Sequence, residues 1–444
     1  MKKLIILAFI AFYTVNAQAQ KANIQSAINY LKDKDVANAK KMIDEAVKSE
    51  STINNAKAWF LKGLIYQAIG TPSSEQMPFI TFIVSSTSGE NAYPVVLETA
   101  NQFAASTPDA LDQSFEAYKK SIELNSKYEK QEYLSLLPFM VYTYFNQGIT
   151  LMNENKFNDA YNALEKMSKF KSLDGGKLFG DIKQMDTLFA NARMYQGNCA
   201  YQTGKDDEAL TILEESIKNP ITQSPDIYIM ATDIYDRKKN EAKWMEIMKL
   251  AKQKYPGDKR IINNEINYYR SNGKSEVLVA SLKEGIAAEP GKADLYLILG
   301  ETYYNMANPV DKSGKSQPKP ANAKELEQNA LTNYTKASEL DAKNAYAQFY
   351  LGLYHYNKAK ELTDAMNNEK DDKKYSAMKP ERDAVIEKAL PFLDKTRSLC
   401  EAEGVNDSNK EMYKQALSGL SQAYMIIGKN EKSAEIQKVL SGVK

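Results

Sequence analysis

Arg260, Asn263, Asn267 and Arg270 stand three, four and three residues apart. On a helix that spacing sets two guanidiniums and two carboxamides on one face. Arginine presents a planar fork of donors, and asparagine can bond a peptide group through both its oxygen and its nitrogen. The set therefore suits a carboxylate or a peptide backbone. Only six of the 58 basic residues are Arg, so two on one stripe concentrate a scarce group.

Other chemistry is absent or incomplete. SNGKSE (271–276) ends like a phosphate loop, but Tyr268 stands where the earlier glycine must be, and SGKS (313–316) has Pro309 there. Without that glycine the backbone cannot fold round a phosphate. DKDVAN from Asp33 starts like a calcium loop, yet Asn38 replaces the turn glycine. With one His there is no zinc-protease motif, and any Ser-His-Asp catalysis would need His355. Cys199 and Cys400 lie 201 residues apart, which excludes a small disulfide scaffold and points to two buried free thiols. Asp206, Asp207 and Glu208 follow Gly204 and read as acidic groups complementing a helix dipole, not as a metal cluster. No catalytic, cofactor or metal site is expected, and the chain reads as non-enzymatic.

Composition agrees. The 444 residues are 43% hydrophobic and 26% charged, with 58 basic against 57 acidic side chains. There is ample material for a core and no net field to gather nucleic acid or an acidic membrane. The start, MKKLIILAFIAFYTVNAQAQ, has Lys2 and Lys3, an apolar run from Leu4 to Val15, then Ala17 and Ala19. It reads as a signal peptide (1–19) cut after Ala19. An uncleaved anchor is the alternative, though the run is short for a span, and no other segment could cross a bilayer. The mature chain (20–444) is expected to be exported, most simply to a periplasm, with secretion or surface attachment as other destinations.

The elements that must position these residues are helices. ADLYLILGETYYNM (293–306) has helical periodicity, yet carries Gly300 at its centre, where glycine costs roughly 1 kcal/mol relative to alanine. Pro256-Gly257 and Pro290-Gly291 recur at an offset of 34 residues. That period marks a helix–turn–helix repeat. The chain here resembles the tetratricopeptide repeat family, whose pattern is W-x2-L-G-x2-Y, then A-x3-F, then Pro. First-helix copies centre on Gly63, Gly148, Gly197, Ala231, Gly300, Gly352 and Ser421. Second-helix copies include Ala39-Ile43-Ala46, Ser114-Tyr118-Ser121, Ala160-Leu164-Met167, Ala209-Leu213-Ser216, Ala330-Tyr334-Ala337 and Ala389-Leu393-Thr396. A small residue is expected wherever two backbones approach closely. Ile266 fills that slot in the sixth copy, so that pair should pack more loosely or at a shifted angle. Gly70, Gly204, Gly273 and Gly428 fall at first-helix ends and read as caps with positive φ.

The resemblance implies an all-α, right-handed superhelical solenoid of about nine antiparallel helix pairs in a single domain. Insertions at 71–109, 308–325 and 364–384 separate the two helices of a copy. The first is apolar and β-prone at MPFITFIV (77–84), with PVVLETANQF after it helical in pattern. The second is a Pro- and Lys-rich loop, the third a charged loop that forms a solvated extension. In such a solenoid first helices line a concave groove, and His355 occupies a packing slot. The groove stripes would comprise Arg260, Asn263, Asn267 and Arg270 with Asn198, Tyr201, Tyr228, Tyr235 and Tyr304. A carboxylate clamp for chaperone tails is not expected, because Phe60, Phe145 and Met194 stand where its first lysine would lie.

Two functions remain open. One is an exported scaffold holding a peptide or partner protein in the groove. The other is a self-associating envelope component that uses the 71–109 insertion as its interface.

Overall fold

The computed structural model describes residues 22–73, 79–86, 89–125, 127, 130–180, 182–311 and 313–443. The signal-peptide reading lies outside them. The chain divides into two compact units, one ending at Trp244 and one running from Met245. The first holds α1 (22–32), α2 (Val36–Ala46), α3 (Ala56–Gly70), β1 (Phe79–Ser86), β2 (Gly89–Val96), α4 (Leu97–Asn101), α5 (Ala110–Leu124), α6 (Lys130–Asn153), α7 (Phe157–Lys169), α8 (Lys183–Gln202), α9 (Asp206–Lys218) and α10 (Asp226–Arg237). The division falls within α11 (Glu241–Lys254). The second unit continues with α12 (Lys259–Ser271), α13 (Ser275–Ala288), α14 (Ala293–Ala307), α15 (Ala323–Leu340), α16 (Ala345–Asn368), α17 (Asp372–Glu403), α18 (Lys410–Ile426) and α19 (Asn430–Gly442). Apart from α4 and the hairpin, the helices follow one another as nine first-and-second pairs among the described residues.

The seams explain the mid-helix glycines. A Cβ at Gly300 would lie 2.6 Å from Cδ1 of Tyr334, whose ring is fully buried. Tyr334 is the large residue of the second-helix pattern, so a missing side chain on α14 makes room for the ring on α15. The same match joins Gly63 to Tyr118, Gly148 to Leu164, Gly197 to Leu213 and Gly352 to Leu393. On α5 two serines bond the facing backbone: Ser114 Oγ donates to the carbonyl of Gly63 at 2.7 Å, and Ser121 Oγ to that of Ala56 at 2.6 Å.

The α12–α13 pair corrects the expectation of loose packing. Ile266 is buried, and its Cδ1 lies 3.3 Å from where a Cβ of Gly285 would be. The small residue has moved to the second helix, and the seam closes with the roles exchanged.

Six first-to-second turns share one geometry. Lys34, Asn155, Gly204, Lys239, Gly273 and Gly428 have φ between 54° and 75° in the left-handed region. The next N–H reaches the carbonyl five residues back in each case: Asp35 to Tyr30, Lys156 to Leu151, Lys205 to Ala200, Asn240 to Tyr235, Lys274 to Tyr269 and Lys429 to Tyr424. This satisfies carbonyls the helix end leaves open. Gly70 is different. It ends α3 without positive φ and is small because Leu111 Cγ would sit 2.6 Å from its Cβ.

The three remaining connections hold the insertions. The first is an antiparallel hairpin, with β1 and β2 in register from Phe79↔Val96 to Ser86↔Gly89. The helical reading of PVVLETANQF therefore holds only for α4, since Pro94–Val96 belong to β2. The second is a loop before α15. Asp311 accepts from the N–H groups of Ser313 and Lys315, and Lys319 reaches Glu327 and Glu361. The third is no loop. Segment 364–384 is carried almost entirely by α16 and α17 running on, because Asp371 caps α17 by accepting from the N–H groups of Lys373 (2.9 Å) and Lys374 (3.1 Å).

Candidate protein-binding faces

In the second unit, α12 starts at Asp258, which accepts from the N–H of Arg260 at 2.9 Å. The Arg260 guanidinium folds back onto the same carboxylate at 3.1 Å. Those bonds, the guanidinium's first, hold the Asp258 carboxyl below its ordinary value. At the other end of the helix, Arg270 donates to Glu301 on α14 at 3.2 Å, and Glu301 also accepts from the Tyr350 hydroxyl on α16 at 3.3 Å. Burial, and then the Glu301 charge, push that phenol up to about 12. Between the two arginines, Asn263 is half-buried and Asn267 exposed. Neither carboxamide has a hydrogen-bond partner among the described residues.

Further bridges run between first helices. Asn357 on α16 donates to the Tyr304 hydroxyl on α14 at 2.7 Å, and the Tyr356 hydroxyl donates to Gln422 on α18. Thus α12, α14, α16 and α18 are tied in sequence along one side of the unit. The structure places Arg260, Asn263, Asn267, Arg270 and Tyr304 on these bridged helices, as the spacing requires. Tyr304 itself is half-buried and already bonded.

In the first unit the expected residues are largely spent on the fold. Tyr228 and Tyr235 are 2% and 6% exposed. They are core residues, which corrects their assignment to a groove wall. The reason is that α10 packs against both α8 and α9, so two adjoining stripes are covered. The Tyr235 hydroxyl donates to Glu214 on α9. Tyr201 is half-buried, donates to Asp233 at 2.7 Å, and carries the Arg237 guanidinium 5.2 Å above its ring. Asn198 accepts from Gln202 at 3.3 Å.

Sequence reasoning missed Phe139 and Tyr142. They lie three residues apart on α6 and are 45% and 41% exposed. Their neighbours Tyr133, Leu136, Leu137, Met140, Val141 and Tyr144 are buried. The signal was an excess: LLPFMVYTYF holds more large apolar residues than one buried face can take. On the same helix, Thr143, Asn146, Gln147 and Thr150 line a pocket of about 530 Å³ that also contains Pro72, Leu111 and Lys166. There Asp112 accepts from Lys166 at 2.7 Å and Tyr144 at 2.9 Å.

His355 is half-buried and stacks on Phe392 with 6.0 Å between ring centroids. Burial, then the charge of Lys388, pull its pKa down. Cys199 and Cys400 are buried free thiols. Among the described residues no group of acidic, His or Cys side chains converges as a metal site, and no helix is long and apolar enough to cross a membrane.

No family model matches the chain, and no curated protein matches it in sequence. Solved structures similar to it include the C-terminal part of a tetratricopeptide repeat-containing protein from Cytophaga hutchinsonii. That likeness has 13% identity and a TM-score of 0.48 over 68% of this chain and 95% of that one. The repeat protein YrrB, described as having an unusual peptide-binding site, is 17% identical with a TM-score of 0.32, over 51% of this chain and 94% of its own. A repeat protein of Bacteroides fragilis is 20% identical with a TM-score of 0.33, over 52% and 98%.

Proposed function

We propose that the chain is an exported, non-enzymatic interaction scaffold that holds a peptide or partner protein on its first-helix faces. The observation that carries this reading is the α12 stripe. Two carboxamides without partners sit between two guanidiniums on a helix tied to its neighbours. An extended peptide laid across them finds donors and acceptors for its backbone, and carboxylates of its own can exchange with Asp258 and Glu301 for the arginines. On the first unit, by itself, the exposed pair Phe139 and Tyr142 offers a separate apolar anchor of the kind that dominates binding energy. The histidine and both thiols, the side chains best suited to acid–base or nucleophilic work, are engaged in packing.

The test is capture by a photocrosslinker placed at Asn267 in cells, followed by affinity measurement with the purified partner. Each neutral hydrogen bond contributes about 1 kcal/mol, so Asn263→Ala with Asn267→Ala should weaken binding roughly thirtyfold. Equal affinity of wild type and the double variant would remove the stripe from the function. Export is supported by Lys2, Lys3, the apolar run and Ala17-x-Ala19. N-terminal sequencing of the cellular protein should begin at Gln20, and a start at Met1 rejects cleavage.

A further inference from the structure

We propose that the first unit carries a second peptide site, where the 71–109 insertion meets α6. It takes an extended segment with an apolar side chain and, about three residues away, a lysine or arginine. This rests on the scaffold reading but not on the α12 stripe.

The pocket of about 530 Å³ is walled by residues that a short turn could not supply. Pro72, Ala104 and Pro108 come from the insertion, Leu111 from the start of α5, and Asn146 and Gln147 from α6. A ledge leads into it. Phe139, Tyr142 and Asn146 follow one another at three- and four-residue steps and share one face of α6. Both rings are exposed. Thr143, in the pocket wall, donates to the carbonyl of Phe139 at 2.8 Å, so ledge and pocket are one helical turn apart. The carboxamides of Asn146 and Gln147 have no hydrogen-bond partner among the described residues. They can serve both the N–H and the C=O of a passing backbone.

Charge selects the occupant. Asp109, Asp112 and Lys166 all line the pocket. Lys166 is already engaged: it donates to Asp112 at 2.7 Å, and the Tyr144 hydroxyl gives that carboxylate a second bond at 2.9 Å. Asp109 is exposed and accepts from the neutral carboxamide of Gln113 at 3.0 and 3.1 Å. One negative charge is therefore left over at the rim. A ligand carboxylate would be repelled by it. A lysine or arginine would neutralise it, with its methylene stem lying on Pro72, Pro108 and Leu111. The spacing follows from the helix. Seven residues of α6 separate Phe139 from Asn146, about 10 Å, which an extended chain covers in about three residues.

The probe is a fluorescein-labelled peptide, Gly-Leu-Ser-Thr-Arg-Ser, with a counterpart carrying Glu in place of Arg. Anisotropy with the full chain should show binding of the first and not of the second. Asp109→Lys turns an attraction into a repulsion and should weaken binding about tenfold, while Asp109→Glu should retain it. Phe139→Ser with Tyr142→Ser should also weaken it. All three positions are exposed, and circular dichroism checks that the helices are kept. Asn263→Ala with Asn267→Ala should bind the peptide like wild type. Equal binding of the two peptides overturns the proposal, as does an affinity indifferent to Asp109→Lys or the absence of binding at millimolar peptide. A second copy seated on this face would show as a solution mass that falls when the two rings are replaced, with neither peptide bound, and that too overturns it. None of these results bears on crosslinking at Asn267, which decides the α12 stripe separately.

Discussion

Replacing Gly300 by alanine sets two known effects against each other. Alanine stabilises a helix interior by about 1 kcal/mol relative to glycine. Its methyl group, however, would lie 2.6 and 2.7 Å from Cδ1 and Cε1 of Tyr334 and 3.2 Å from the carbonyl oxygen of Ala330. Ordinary carbon contacts begin near 3.5 Å, so the ring must retreat by most of an ångström. It has little room, because it is 1% exposed and stacked on Tyr350 at 5.3 Å with the planes 7° apart. Overpacking of this kind typically costs 1–3 kcal/mol, so after the propensity gain the net change should be a loss of up to about 2 kcal/mol. Gly197→Ala is the matched control. Its nearest atoms are methyl groups of Ile212 and Leu213 at 3.1 Å, which can yield, so the propensity gain should leave it neutral or slightly more stable. Urea unfolding followed by circular dichroism measures both variants, and hydrogen exchange in α14 and α15 localises the effect. Because repeats interact mainly with their neighbours, exchange should rise in that pair first. A Gly300→Ala protein as stable as wild type, or more so, would refute the account of the mid-helix glycines. So would strict additivity with Tyr334→Ala, since clashing partners must show coupling.

Tyr334 carries a buried hydroxyl without a hydrogen-bond partner; Tyr334→Phe should therefore raise the urea midpoint, by up to about 1 kcal/mol given the cost of burying an unsatisfied polar group. Lys34 holds φ of 63° at a turn where three other copies have glycine, and Lys34→Gly should stabilise by about 1 kcal/mol in thermal unfolding. Burial pushes the Asp44 carboxyl up, but hydrogen bonds from Lys40 and Tyr66 and the charges of Lys62 and Lys40 outweigh it and leave its pKa lowered. The folded value lies below the unfolded one, so this contribution is complete above about pH 4. It is lost as pH falls through the depressed value. The stability gap between wild type and Asp44→Asn should accordingly close in urea titrations below pH 4, and a constant gap would contradict the assignment.

The repeat architecture was legible because its seams depend on single residue types. Gly300 with Ala330-Tyr334-Ala337 states both sides of a contact, and the coordinates join them. Ile266 misled because a seam needs one small residue, not a particular owner, and Gly285 supplies it from the facing helix. Tyr228 and Tyr235 were misplaced because periodicity reports which residues share a face, not how many faces a helix buries. The α12 stripe was readable from spacing alone. That its arginines are engaged by Asp258 and Glu301, while the asparagines are left open, required the positions of the neighbouring chain. NNEKDDKKYSAMKPERD looked like a loop through its charge density. Charged residues are good helix formers once a cap such as Asp371 starts them.

All three long insertions stand where the other six copies have the same short left-handed turn. Lengthening a flexible connection costs little, about 0.6 kcal/mol per doubling, while the paired rods on either side keep their fit. The six unaltered turns are therefore natural grafting points. A recognition loop or a reporter domain spliced after Lys239 or Gly428 should leave the neighbouring helices as they are, so the chain can gain new specificities at its rim without renegotiating its core.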